Sequence, residues 1–193
     1  MKNGRLEFAA TTPDTQWGED GLPDYPDYAN NTVRNEGNLT VDNAVLENMT
    51  KKGGASYVVD NYSGAKLIVN EGSVLNQLRG DIAVRMFNGG SGTIDVTVNG
   101  GTISGYRAVW IQLASTNTSV AQVMNLTVTG GTLTSRDATY NQAVYSYSYG
   151  NDMKNVSINV SGGTFLEDPT DYLAEGYEAV LTDGIWTVRP ASE

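Results

Sequence analysis

Three stretches of the chain share one nine-residue pattern around Val-x-Gly-Gly-Thr: Asp95-Val-Thr-Val-Asn-Gly-Gly-Thr-Ile103, Asn125-Leu-Thr-Val-Thr-Gly-Gly-Thr-Leu133 and Ser157-Ile-Asn-Val-Ser-Gly-Gly-Thr-Phe165. Looser copies begin earlier, at Asn38-Leu-Thr-Val41 and Lys66-Leu-Ile-Val69. The closing valines of successive copies lie 28 to 32 residues apart. A repeat of this period is typical of a solenoid, in which each unit stacks on its neighbours along one axis.

A second segment recurs between these stretches, and it begins with a small or branched residue followed by valine. Its copies are Val58-Val-Asp-Asn-Tyr62, Ala83-Val-Arg-Met-Phe87, Ala108-Val-Trp-Ile-Gln112 and Ala143-Val-Tyr-Ser-Tyr147. Each unit therefore holds three short strands: the Leu-Thr-Val strand, the strand after the Gly-Gly turn, and the Ala-Val strand. The apolar period of about 3.6 residues that indicates a helix runs through none of them.

A unit with three strands and three bends is one coil of a triangular β-helix. We therefore predict an all-β, single-stranded parallel β-helix of about five coils, with coils about 4.8 Å apart along the axis. The usual hand of parallel crossovers predicts a right-handed coil. Alternation along the strand points Leu39, Leu67, Val96, Leu126 and Ile158 inward. A β-sandwich or an antiparallel meander is the alternative, but neither requires near-identical segments at near-constant spacing.

The two ends of the chain depart from the repeat. The N-terminal segment contains Pro23 and Pro26, which exclude an interior strand, so we expect an irregular cap or linker. At the other end, Asp168-Pro169 predicts a short helical turn, and Thr182-Asp-Gly184 predicts the turn of a hairpin that caps the last coil. The predicted parts are an N-terminal cap or linker, the β-helix coils and a C-terminal cap, at residues 1–31, 32–166 and 167–193.

Composition and charge exclude several classes of function. With 12 basic and 22 acidic residues the net charge is -10, so we expect no nucleic-acid partner. The chain contains neither cysteine nor histidine, which excludes thiol nucleophiles, Ser-His-Asp triads and Cys/His metal sites. No stretch approaches the roughly 20 apolar residues of a membrane helix, so we expect no membrane insertion. The acidic N-terminal residues lack a recognisable Ca²⁺-ligand spacing, and we predict no metal and no cofactor.

The Val-x-Gly-Gly-Thr coils resemble pectate-lyase-like β-helix repeats, especially those in large surface proteins of anaerobic, mostly gut-dwelling Firmicutes. The most specific part of the resemblance is the tail Gly162-Gly-Thr-Phe-Leu-Glu-Asp-Pro-Thr-Asp-Tyr-Leu-Ala-Glu-Gly-Tyr-Glu-Ala-Val180. It implies a right-handed β-helix within a longer, secreted or wall-attached chain that carries flanking domains. Residues 2–5 lead into no apolar segment of a signal peptide, which agrees with an excerpt from an exported protein.

Polysaccharide lyases and hydrolases also use this fold, so catalysis must be judged from residues. A lyase needs clustered carboxylates for Ca²⁺ and a base, and a hydrolase needs two or three carboxylates on one face. The carboxylates Asp60, Asp95, Asp137 and Asp152 fall at different positions in their coils. We therefore predict that the chain is not an enzyme.

The Ala-Val strands carry the candidate binding face. If Val59, Val84, Val109 and Val144 point inward, the residues one and three positions later point outward. The candidate ligand-binding residues are Tyr62, Arg85, Phe87, Trp110, Tyr145 and Tyr147. An aromatic ladder of this kind can stack on sugar rings or anchor a protein partner, although β-helices also use such rows simply to cover a sheet.

We therefore expect a non-catalytic cell-surface module, an adhesin-like stalk or display domain that binds a glycan or a host surface protein through this face. Two alternatives follow from the same fold. A fragment or degenerate relative of a polysaccharide-degrading enzyme would require carboxylates aligned on one face. A phage tail-spike or fibre segment would require an apolar outer face on every coil.

Overall fold

The structure is a computed structural model that describes residues 2, 4–8, 31–48, 56–62, 64–78, 82–87, 92–113, 123–136, 142–148 and 155–192. In chain order its strands are β1 (Arg5–Phe8), β2 (Val33–Asn35), β3 (Asn38–Val41), β4 (Val45–Asn48), β5 (Val59–Tyr62), β6 (Lys66–Val69), β7 (Val74–Gln77), β8 (Ile82–Phe87), β9 (Ile94–Val98), β10 (Thr102–Gly105), β11 (Arg107–Leu113), β12 (Met124–Val128), β13 (Thr132–Ser135), β14 (Val144–Ser148), β15 (Val156–Val160), β16 (Thr164–Phe165), β17 (Tyr177–Thr182) and β18 (Ile185–Pro190).

The strands form three sheets, which we name after the repeat segments. The Ala-Val sheet has the order β14-β11-β8-β5-β2, and the Leu-Thr-Val sheet has the order β15-β12-β9-β6-β3. The Gly-Gly-Thr sheet has the order β1-β4-β7-β10-β13-β16-β18-β17. Every third strand is a neighbour, so β2 to β16 form five successive coils with one strand in each sheet. The predicted all-β parallel solenoid is confirmed.

The core consists of aliphatic side chains stacked from coil to coil. In the Leu-Thr-Val sheet, Leu67 lies in register with Leu39 on one side and with Val96 on the other. The stack continues through Leu126 to Ile158. Its three inner members are buried, whereas Leu39 and Ile158 are half-buried because each belongs to a terminal coil. The predicted inward positions are therefore confirmed.

The Gly-Gly corners require glycine for two reasons. Gly101 and Gly131 have φ values of 81° and 89°, in the left-handed region that other residues disfavour. A Cβ on Gly101 would lie 2.5 Å from the carbonyl oxygen of Ser73 in the preceding coil. A residue with a side chain is therefore disfavoured at this corner, both by the positive φ and by the close stacking of the coils.

Buried amide side chains form hydrogen bonds between coils at two other corners. Asn35 Nδ2 donates to Asn61 Oδ1 at 2.9 Å, and Asn61 Nδ2 donates to the Arg85 carbonyl at 3.1 Å. On the Gly-Gly-Thr sheet, Gln77 Nε2 donates to Asn48 Oδ1 at 3.2 Å. These coil-to-coil hydrogen bonds satisfy polar groups that would otherwise be costly to bury.

The N-terminal segment differs from the prediction of an irregular cap or linker. Strand β1 pairs in parallel with β4, with Arg5 opposite Val45, and Lys2 bridges to Asp42. The irregular assignment is therefore wrong for Arg5–Phe8. An open edge of β4 offers unpaired backbone groups to any extended segment, and β1 uses them without containing the repeat. The rest of the predicted cap, including Pro23 and Pro26, lies outside the described residues.

The C-terminal hairpin cap is confirmed. Strands β17 and β18 pair antiparallel around a turn in which Asp183 and Gly184 have φ values of 51° and 80°. Strand β18 also pairs antiparallel with β16, which joins the hairpin to the last coil. A 3-10 turn at Thr170–Tyr172 follows Pro169, as the sequence indicates. Within the described residues, no helix is long and apolar enough to cross a membrane.

Candidate functional site

The register of the Ala-Val sheet aligns all six predicted binding residues on one face. Trp110 lies between Arg85 and Tyr145, and Phe87 lies opposite Tyr62. Gln112 stands between Phe87 and Tyr147. We call this surface the aromatic face; it consists of Tyr62, Arg85, Phe87, Trp110, Tyr145 and Tyr147.

Inward and outward residues alternate along the Ala-Val strands as predicted. Val59, Val84 and Val109 are completely buried, and Val144 is 4% exposed. Five residues of the face are half-buried, whereas Tyr147 is 38% exposed. Most of the face is therefore covered in part, and its accessible end lies at β14, the edge strand of the sheet.

Arg85 occupies the centre of the face and is held by groups of the chain itself. Its Nε and Nη2 donate to the two carboxylate oxygens of Asp60, each at 2.8 Å, and its Nη1 donates to Gln112 Oε1 at 3.3 Å. The guanidinium carbon also lies 4.3 Å from the Tyr57 ring centroid and 4.5 Å from that of Phe87. Because the Arg85 and Asp60 side chains are only 14% and 3% exposed, this pair is a structural element of the face.

Trp110 is one of the residues predicted to point outward and bind a ligand, and the structure shows it half-buried. The ring of Tyr57 lies 6.4 Å from that of Trp110 at an angle of 59°. Trp110 Nε1 is buried and has no hydrogen-bond partner among the described residues. Sequence reasoning missed Tyr57 because it precedes the recurring segment. A large aromatic residue immediately before Val58-Val59 was the available signal.

Two aromatic pairs lie on either side of Arg85 and Trp110. Tyr62 and Phe87 have ring centroids 5.4 Å apart, and the Arg34 guanidinium lies 4.5 Å over Tyr62. On β14, the rings of Tyr145 and Tyr147 lie 6.1 Å apart and within 14° of parallel. The Arg107 guanidinium lies 3.6 Å over the Tyr145 ring. Each pair is thus a cation-π cluster, and the second one reaches solvent through Tyr147.

The carboxylates of the coils are dispersed, as the sequence predicts for Asp60 and Asp95. Asp60 is 2% exposed and bonded to Arg85, whereas Asp95 lies on the Leu-Thr-Val sheet and accepts a hydrogen bond from Asn125 at 2.8 Å. Asp137 and Asp152 lie outside the described residues. Across the described ranges, no group of three or more acidic residues is placed to hold a metal ion.

Comparison with known proteins finds no matching family model, no matching curated protein and no matching solved structure. The function of the aromatic face must therefore be inferred from its own geometry.

Proposed function

We propose that the chain is a non-catalytic recognition and display module whose aromatic face binds a glycan. The observation that carries this proposal is the pair of near-parallel tyrosine rings on β14, with Tyr145 and Tyr147 6.1 Å apart and Tyr147 38% exposed. The Tyr147 ring reaches solvent and can offer a face to the C–H groups of a sugar ring, while Tyr145, which carries Arg107 over its ring, supports it.

The neighbours of the tyrosine pair suit a carbohydrate ligand. Gln112 lies in register with Tyr147, and its Oε1 is oriented by the hydrogen bond from Arg85. An amide beside a stacking platform supplies the few polar contacts that fix a sugar, while the rings supply most of the buried area. The Tyr62–Phe87 pair extends the same face on the other side of Arg85.

The environment of Asp60 supports a non-catalytic role for this face. General acid-base or nucleophilic chemistry on a sugar needs carboxylates that can reach the glycosidic bond at a fixed separation. Asp60 is buried, and both of its oxygens accept hydrogen bonds from Arg85. The carboxylate therefore holds Arg85 in place within the face.

The location that we propose is the surface of a bacterium or its surroundings, as part of a longer pectate-lyase-like protein with flanking domains. The Val-x-Gly-Gly-Thr coils and the tail from Gly162 to Val180 support this origin through their resemblance to repeats of gut Firmicutes surface proteins. The net charge of -10 disfavours nucleic acid as a partner. A host surface protein is the alternative partner for the same aromatic face.

A glycan array, with mucins included, tests the proposal on the purified chain. We expect the wild-type chain to bind and Tyr147→Ala to bind about tenfold more weakly or not at all. Ile185→Ala is the matched control, since Ile185 is 45% exposed and lies on the terminal hairpin. Unchanged binding by Tyr147→Ala would contradict the assignment of the site. Absence of binding by the wild-type chain would leave a structural spacer as the better explanation.

A further inference from the structure

A buried carboxylate lies at the other end of the last coil, next to the C-terminal cap. Glu167 exposes only 7% of its surface, and its Oε1 accepts a hydrogen bond from the Ser135 amide at 2.9 Å. Strand β16 ends at Phe165, so Thr134 and Ser135 at the end of β13 have no partner strand on that side. The Glu167 side chain supplies the acceptor that a longer β16 would have provided.

The second oxygen of this carboxylate, Oε2, does not take part in the bond to the Ser135 amide. Glu167 Oε2 is buried and has no hydrogen-bond partner among the described residues. Burial raises the pKa of Glu167, while the amides of Ser135, Glu167 and Ala143 act in the opposite direction. An unpartnered carboxylate oxygen at such a depth is costly unless a donor reaches it.

Glu167 lines a cavity of about 70 Å³ that opens between β14 and the 3-10 turn. The floor and walls include Val144, Phe165 and Pro169, which are buried and apolar. Asp168 and Asp171 are exposed and form the rim. The cavity thus combines an apolar wall, a buried anion and an anionic mouth. None of the residues of the aromatic face lines it.

The chemistry of the lining determines what the cavity can bind. Its charged members are Glu167, Asp168 and Asp171, and the described lining residues include no lysine or arginine. These carboxylates are not placed as a metal site within the described chain. A water molecule needs about 10–15 Å³ of such cavity space, so the cavity admits a chain of several heavy atoms. A cationic donor on a slim carbon chain would suit the buried carboxylate, the apolar wall and the volume of the cavity.

We propose that this cavity binds the side-chain ammonium group of a lysine from a peptide partner. The terminal methylene would pack against Val144 and Phe165, and the ammonium would donate to Glu167 Oε2. The rim carboxylates of Asp168 and Asp171 attract the cation, although their solvent exposure makes their contribution small. An amino sugar carries its ammonium on a branched ring carbon, so it would present a wider group to the cavity than the unbranched chain of lysine. The proposal does not depend on glycan binding by the aromatic face.

A nuclear magnetic resonance titration of the isotope-labelled 193-residue chain tests this site. The probe is Nα-acetyl-lysine methylamide, and its Nε-acetylated form is the uncharged control. We expect saturable shifts of the Gln142, Glu167 and Tyr172 amides with the first probe and none with the second. No saturable shift with the lysine probe, or equal shifts with both probes, would overturn the proposal. Tighter binding of glucosamine than of the lysine probe would assign the cavity to amino sugars and would also overturn it.

Variants locate the binding within the cavity. Glu167→Gln retains the shape and the acceptor for Ser135, and we expect the affinity for the lysine probe to fall about tenfold or more. Glu175→Gln is the matched control, because Glu175 is exposed and does not line the cavity. Equal affinity of wild type and Glu167→Gln would refute the role of the buried carboxylate. If Glu167→Gln does not give a dispersed spectrum, Asp171→Asn replaces it, and a loss of affinity of about twofold that is absent in Glu175→Gln is then required.

Discussion

Asp60 and Arg85 form a two-point ion pair between adjacent coils, with both nitrogen-to-oxygen distances at 2.8 Å and Asn31 donating a further hydrogen bond to Asp60 at 3.0 Å. The pair faces outward from the sheet, yet its side chains are 3% and 14% exposed. It anchors the centre of the aromatic face and explains why the accessible part of that face is displaced to β14.

Arg85→Ala should therefore lower the free energy of unfolding by about 3–5 kcal/mol, because it leaves the buried Asp60 carboxylate without its cation. Urea denaturation measures this change. Arg34→Ala is the control, since Arg34 pairs with Glu36 through side chains that are 55% and 51% exposed, and it should cost about 1 kcal/mol or less. If both variants lowered the free energy of unfolding by similar amounts, the buried ion pair would contribute no more to stability than the exposed one.

Replacement of Gly101 tests the stacking of the coils. Gly101→Ala should cause loss of soluble folded protein, because the new Cβ would meet the Ser73 carbonyl oxygen at 2.5 Å. Gly176→Ala shares the positive φ, at 80° against 81°, but its Cβ would have nothing within 4 Å. It should cost only the conformational strain of about 1–2 kcal/mol. Solubility and thermal melting distinguish the two, and equal behaviour would contradict the close approach of the coils.

Trp110 and Tyr147 should respond differently to truncation. Trp110→Ala should lower the free energy of unfolding by about 3 kcal/mol, because it removes a half-buried ring that packs against Tyr57. Tyr147→Ala should lower it by about 1 kcal/mol or less, since the side chain lies at the exposed end of the face and the change removes its stacking on Tyr145. Denaturant melts give both values. A large loss for Tyr147→Ala would indicate that its ring is structural.

The stability of the chain should depend on pH through Glu167. Its pKa in the folded state is raised above the ordinary value of 4.5, so the folded state holds this proton more tightly than the unfolded state. The contribution of Glu167 to stability is therefore fully present below about pH 4.5 and is lost as pH rises through the folded pKa. The melting temperature of wild type relative to Glu167→Gln should fall as pH is raised from 4.5 through the folded pKa. A difference that does not change as pH is raised above 4.5, or that rises with pH, would contradict the assignment.

The repeat predicts most of the fold because three properties are local in sequence. Alternation selects the inward valines, a nearly constant period aligns the coils, and the Gly-Gly pair marks a corner. These properties also predict that Trp110 stands between Arg85 and Tyr145. They do not predict exposure, because Tyr57, which covers Trp110, lies outside the recurring segment.

Strand β1 and the Glu167 cavity escaped prediction for related reasons. Strand β1 contains no copy of the repeat and pairs through backbone groups, which leave little trace in side-chain pattern. Glu167 follows Phe165 by two residues, as Ser135 follows Leu133, so alternation alone would have placed it at an inward position. A charged residue at a core position was the available signal, and its unpartnered oxygen becomes evident only with the neighbouring coil in place.

The position of β18 between β16 and β17 has a mechanical consequence. Tension applied along β18 from Pro190 would load the hydrogen bonds to both neighbours at once, in shear, because the pull runs parallel to the strand. The coils by themselves would resist a pull along the solenoid axis less well, since that force opens the bonds between successive coils one coil at a time. The terminal hairpin therefore joins the last coil to a strand that resists tension applied along its own direction.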